Sequence, residues 1–236
     1  SAGSRMAHRR RRRPGCRLRA PQRLSPDRAV RDEALQAAWA GQASWRILDT
    51  GFDRAAGFLH AWHAWRNDAH RPALLHYVAI APWPAAPGQP AFDAAPPLSL
   101  LADKLAARCW GLIPGLHRLA FEGGRVLLTL CVGLTQDMLR ELSFSADQVR
   151  LGHTQLLDPA AWRALARLCR RGTRVRAAQP QAADHDQLRA GGFVPQADPA
   201  QWVYDPAWTP RGERAATLPT SPSRCIVVGA GLAGAA

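Results

Sequence analysis

The sequence has no apolar run approaching the roughly 18 residues that a membrane span requires, and the arginines at 9–13 are not followed by a secretory apolar segment. Both absences exclude a membrane role and lead to the expectation of a cytoplasmic protein. Cysteine is sparse: Cys16, Cys109, Cys131, Cys169 and Cys225 lie far apart, with no C-x-x-C spacing and no histidine pair beside them. Zinc sites of the usual ligand spacing are thereby excluded, and the thiols read as reduced, mostly core side chains. Acidic residues are missing from the first 23 positions, which hold nine arginines, so nine of the thirteen net positive charges sit there. The remaining +4, over about 210 residues, makes a mildly basic body and gives weak support for an RNA-binding face. Residues 1–38 read as a disordered basic tail in which Arg9–Arg13, Arg17 and Arg19 could hold a polyanion such as RNA by counterion release. No internal repeat is evident.

What is present is enough for one full core. With 236 residues and 47% apolar content, the chain can bury one domain and a fragment of another. Ile47-Leu48 closes a short strand that enters Asp49-Thr50-Gly51, after which the period becomes helical, with Phe58, Leu59, Trp62 and Trp65 on one face. Leu74–Ile80 reads as a second strand, followed by six prolines between Pro82 and Pro97 that exclude continuous regular structure. Leu98, Leu101, Ala102 and Leu105 form another helical stripe. Glu122-Gly123-Gly124 separates two apolar runs as a hairpin turn would, the second being a buried strand at Val126–Val132. Asp158-Pro159 has the form of an N-cap followed by proline in the first turn, with Trp162, Leu165 and Leu168 facing inward. Thr173–Ala177 reads as a short strand and Asp184–Ala190 as a short helix stopped by Gly191-Gly192. Alternating strands and helices of this length imply an α/β doubly wound, Rossmann-like sheet, mainly parallel and covered on both faces, over residues 39–204. Residues 205–223, rich in proline, serine, threonine and arginine, read as an interdomain linker.

The last stretch, 224–236, is distinctive. Cys225-Ile226-Val227-Val228 is a buried-strand pattern leading into Gly229-Ala230-Gly231-Leu232-Ala233-Gly234. In a dinucleotide fingerprint Gly229 allows the tight turn, Gly231 the approach of the pyrophosphate to a helix N-terminus, and Gly234 close packing of helix on strand. The sequence ends at Ala236, before the acid that would hold the ribose, so this stretch reads as the truncated start of a dinucleotide-binding domain.

In the order of its segments the chain resembles the MnmC family, the bacterial bifunctional enzymes of 5-methylaminomethyl-2-thiouridine synthesis in tRNA, in which a methyltransferase half precedes an FAD-dependent oxidoreductase half. The resemblance rests on Trp39-Ala40-Gly41, Ile47–Phe52, Phe58-Leu59 with Trp62 and Trp65, Arg71-Pro72 with Leu75–Val78, and Pro114-Gly115 with His117–Leu119. It continues through Gly124–Val126 with Leu128–Leu130, Asp158-Pro159 with Trp162, and Ala190–Phe193. It implies a fold of the S-adenosylmethionine-dependent methyltransferase type, an S-adenosylmethionine site reached through Asp49 and Gly51, tRNA as partner, and FAD bound by Gly229, Gly231 and Gly234 in a longer chain. It also exposes departures. Asp53 and Ala55 stand where the family's cofactor turn has glycines, and a Cβ there resists a positive φ. Ala81 replaces the acid expected to hold the ribose, Leu134 the acid expected near the adenine, and Leu151-Gly152-His153-Thr154-Gln155 the Asp-Gly-Phe-Ala-Pro stretch of the active site. Several lost charge-assisted hydrogen bonds, at about 1.5–3 kcal/mol each, are enough to abolish a micromolar site.

Two functional readings follow. One is a non-catalytic domain that docks tRNA or braces the FAD-oxidoreductase half. The other is a methyltransferase in which Asp49, Asp53 or His153 has taken over lost roles, His153 as a proton carrier. The bland readings compete with each candidate: Asp49 as a hydrogen-bonded turn aspartate, His60 and His63 as a solvated helix surface rather than a metal pair, and the tryptophans as packing rather than a base-stacking platform.

Overall fold

The computed structural model describes residues 34–52, 55–81, 97–109, 111–152, 154, 157–177 and 181–210. His153, Asp53, Gly229, Gly231 and Gly234 fall outside them, as do the arginine tail and the glycine-rich terminus. Eight strands form one sheet in the order β3-β4-β2-β1-β5-β6-β8-β7. They are β1 (Ser44–Asp49), β2 (Leu74–Ala81), β3 (Gly115–Phe121), β4 (Val126–Val132), β5 (Ala146–Leu151), β6 (Cys169–Ala177), β7 (Phe193–Pro195) and β8 (Gln201–Tyr204). β4, β2, β1, β5 and β6 pair in parallel, while β3, and β8 against both β6 and β7, pair antiparallel. The mainly parallel sheet expected from the alternation is therefore present, with an antiparallel strand at each end of its parallel part.

Successive strand residues face opposite sides, and the core divides accordingly. Ile47, Tyr77 and Leu130 join one apolar cluster with helices α1 (Ala56–Asn67) and α2 (Ser99–Ala106). Their neighbours Leu48, Val78 and Cys131 join a second cluster with α3 (Thr135–Glu141), α4 (Pro159–Arg167) and α5 (Ala182–Ala190). Helices thus cover both faces. Phe58, Leu59, Trp62 and Trp65, the expected inward face of α1, are all buried. Trp62 stacks with Phe58 and Phe121, and its Nε1 donates to Glu122 Oε1 at 3.0 Å. Of the nine tryptophans, Trp39, Trp45, Trp62, Trp65, Trp162 and Trp202 are core residues, and Trp208 is exposed. Packing accounts for most of the aromatic count. Cys109, Cys131 and Cys169 are free and buried; burial pushes the Cys109 thiol up to about 11 and Cys131 up to about 12.

Asp158 caps α4 by accepting the Ala161 amide at 2.7 Å, with Pro159 in the first turn. Glu122–Gly124 makes the turn between β3 and β4. Three boundaries differ from the sequence reading. β6 begins at Cys169 rather than Thr173, because Gly172 at φ +82° and the Thr173 hydroxyl, bonded to Arg170 N and Ala146 O, carry the chain through an irregular start. α3 and β5, between Gly133 and Gly152, had no periodic signal strong enough to mark them. Residues 34–38, the end of the stretch ascribed to the tail, are helical together with Trp39, with Leu35 and Trp39 buried and Trp39 Nε1 donating to Asp68 at 2.6 Å.

Trp62 is the test of this packing. Its replacement by alanine is expected to cost about 3–5 kcal/mol, read as a lower urea midpoint at unchanged slope.

Candidate functional site

In an open doubly wound sheet, ligands bind outside the carboxyl ends of the strands, where the strand order reverses. Here the chain runs outward from β1 through β2 to β4, then returns to β5 on the other side of β1. The switch point therefore lies at Asp49 and Leu151, the last residues of β1 and β5.

Two backbone ties close this edge. Thr50 Oγ1 donates to Gly152 O at 2.9 Å and accepts from Gly152 N at 3.0 Å. A β-carbon on Gly152 would stand 2.9 Å from Gly51 Cα, so only glycine permits the two turns to approach this closely. Farther along, Phe52 N donates to Ile80 O, and Gly133 N to Ala81 O.

Asp49 sits at the centre. Its Oδ1 accepts the Gly51 amide at 2.9 Å, an Asx turn, and its Oδ2 accepts the Tyr77 hydroxyl. Arg150 faces Asp49 in the β1–β5 register, and its guanidinium donates to the Tyr77 oxygen. All three side chains converge beside Gly57 at the start of α1. A β-carbon there would meet Tyr77 Oη at 2.5 Å, Arg150 Nη1 at 2.8 Å and Asp49 Oδ2 at 2.8 Å. Burial, reinforced by the Asp49 charge, drives the Tyr77 phenol well above its usual pKa, with Arg150 opposing. Tyr77 therefore stays a neutral donor at every physiological pH.

The turn between β1 and α1 keeps a feature that the sequence argued against. Ala55 adopts φ +58°, ψ +9°, the left-handed conformation that glycine favours, and is 1% exposed. The methyl that was expected to resist this geometry is accommodated in the α1 core cluster, at a conformational cost of about 1–2 kcal/mol.

The remaining positions lack polar groups. Ala81 packs against the core at the end of β2. Leu134 caps α3 without a side-chain bond and is 61% exposed. Leu151 is buried in the second core cluster, on the far side of the sheet from α1. Thr154, just beyond His153, donates to the buried Asp184 at 2.8 Å, which also accepts Gln181 N and so ties the loop after β5 to the start of α5. Asn67 lies within hydrogen-bond distance of His63 on α1, and no cluster of three or more metal-ligating side chains occurs among the described residues. No described helix is long and apolar enough to cross a membrane.

A mainly parallel, doubly wound sheet with its strand-order switch at β1 and β5 defines a Rossmann-like α/β domain. No protein-family model matches the chain. It is 44% identical over 218 residues to the tRNA 5-methylaminomethyl-2-thiouridine biosynthesis bifunctional protein MnmC of Polaromonas naphthalenivorans, and 47% identical over 219 residues to that of Delftia acidovorans. Each alignment covers 86% of this chain and 34% of the relative. Its fold is similar to the crystal structure of MnmC2 from Aquifex aeolicus, with a TM-score of 0.56 and 18% identity, over 75% of this chain and 57% of that one. The chain is thus similar to MnmC proteins over most of its own length, and it spans about a third of the length of the curated relatives it matches.

Of the residues expected at the site, Asp49 and Gly51 are at the switch point, but Asp49 is engaged by the turn and by Tyr77. Tyr77 and Arg150 were not singled out in the sequence. The signal was there: an arginine between Val149 and Leu151, which both enter the second cluster, must face the other side of β5, toward Asp49.

The raised Tyr77 pKa makes a pH prediction. A folded value above the unfolded one near 10 contributes stability that is complete below pH ~10 and is lost as pH climbs toward the folded value. The wild-type urea midpoint should therefore fall between pH 8 and pH 10.5 by more than that of Tyr77→Phe; equal falls would contradict the burial of an ionisable Tyr77.

Proposed function

We propose that this chain is a non-catalytic, methyltransferase-like domain of a tRNA wobble-uridine modification protein, serving as a docking domain for tRNA or a brace for an FAD-oxidoreductase half. The observation that carries the reading is the Asp49–Tyr77–Arg150 cluster. The first-strand carboxylate, which a cofactor would need, already has its partners within the protein, and a guanidinium stands at the turn where a sulfonium cofactor would have to approach. Ala81, Leu134 and Leu151 offer no hydrogen-bonding groups for ribose, adenine or the reacting amine. These residues do not fit S-adenosylmethionine, and no methyl-transfer step is derived through it.

The partner domain is supported by the relatives' being named bifunctional proteins and by the Gly229, Gly231 and Gly234 fingerprint. The domain division, with a basic tail, the methyltransferase-like body, a linker and the start of an FAD-binding domain, belongs to this proposal. Asp205, Pro206 and Trp208, at the start of the stretch read as a linker, are fastened to Arg171.

A second reading, an active methyltransferase with altered site residues, draws on Ala55. The turn retains the left-handed residue that a cofactor loop requires. Incubation of the chain with S-adenosylmethionine and undermodified tRNA, followed by nucleoside mass analysis, separates the two. The expected result is no methylated nucleoside. A methylated aminomethyl uridine that disappears in Asp49→Ala would establish the enzyme instead.

A further inference from the structure

At the amino ends of the parallel strands, opposite the cofactor edge, a cavity of about 190 Å³ is lined by Gln42, Trp45, Asp147, Arg170, Gly172 and Arg174, among others. The charge there is unusual. From Asp158 to Asp184 the sequence has six arginines and no acid between them. Most have structural partners. Arg167 donates to the carbonyls of Leu139, Arg140 and Leu142 at the end of α3. Arg171 holds Asp205, Pro206 O and Trp208 O. Arg170 pairs with Asp147, whose side chain is 1% exposed and whose other oxygen takes both the Arg46 backbone N–H and Nε. Arg176 reaches Asp198 at 3.7 Å.

Arg174 is different: its exposed side chain makes no hydrogen bond or ion pair among the described residues. It lies on the same face of β6 as Arg176, and the register sets Arg176 directly beside Arg150 of β5. Of this row Arg176 has Asp198, and Arg150 has Tyr77 beside Asp49, which leaves Arg174 without an acid; Asp147 cannot serve it, since Arg46 and Arg170 already share it.

We propose that this cavity is a phosphate-binding site in which Arg174, beside Arg170, holds one phosphodiester of an RNA backbone. The guanidinium fork matches phosphate oxygens. A single uncompensated cation at the cavity suits the single negative charge of a phosphodiester. The RNA source rests on the tRNA-docking reading above; the phosphate chemistry does not.

The test is tRNA binding to the full chain by fluorescence anisotropy across 50–300 mM salt. Arg174→Ala and Arg174→Lys are compared with Arg118→Ala on β3, an equal loss of charge at the other end of the sheet. Arg174→Ala is expected to weaken binding about five- to tenfold near 0.1 M salt and to reduce the slope of log affinity against log salt by about one. Arg174→Lys should retain most of the affinity, and Arg118→Ala should stay within about twofold. If the wild type binds tRNA and Arg174→Ala is no weaker than Arg118→Ala, the site is refuted while the docking reading stands. If the wild type does not bind tRNA, the docking reading and the RNA source fail together. Thermal denaturation in inorganic phosphate against chloride of matched ionic strength then decides the chemistry: a midpoint raised in the wild type and not in Arg174→Ala keeps a phosphate site, and equal midpoints remove it.

Discussion

Asp49 accepts from Gly51 and from Tyr77, and these two bonds join the end of β1, the first turn and β2. A carboxylate this deeply buried is tolerable only when its oxygens are satisfied. The satisfaction fixes the path of residues 49–52, the docking of β1 against β5 through Thr50 and Gly152, and the point at which α1 begins. Gly57 has no β-carbon to obstruct the three converging side chains. The start of α1, whose buried face anchors half of the core, thus depends on a polar cluster with no room for a further occupant.

The two edges of the sheet are opposite in character. At the carboxyl edge, among the described residues, Asp49, Tyr77 and Arg150 answer one another and Ala81, Leu134 and Leu151 are apolar, an arrangement suited to stability rather than to ligand exchange. At the amino edge, arginine accumulates beyond what the local acids can neutralise. A fold shared with enzymes does not by itself confer their chemistry, and among the described residues Arg174, which has no acidic partner, lies on the side away from the enzyme-like turn.

Much of the architecture was legible in the sequence because burial imposes periods. α1 and α4 carry their apolar residues at helical spacing, and β4 is an apolar run, interrupted only by Thr129, between a two-glycine turn and Gly133. α3 escaped because seven residues with only Met138 and Leu139 buried make no stripe. β5 escaped because Asp147, Gln148 and Arg150 interrupt it, two of them for reasons outside the strand: Asp147 answers Arg46 and Arg170, and Arg150 answers Tyr77 and Asp49. At the site, the loss of glycines and acids could be read directly, but what replaced them could not. That Ala55 would take a left-handed conformation, and that Tyr77 would reach the first-strand carboxylate, are decided by tertiary packing that overrides local preference.

The central claim is that internal partners have taken the place of S-adenosylmethionine. Its most direct test is calorimetric titration of the folded chain, near 100 micromolar, with S-adenosylmethionine and S-adenosylhomocysteine, a concentration adequate for weak binding. The account predicts a flat trace for both. Heat saturating at one ligand per chain would contradict it, since the cofactor would then have displaced Arg150 or Tyr77 from Asp49.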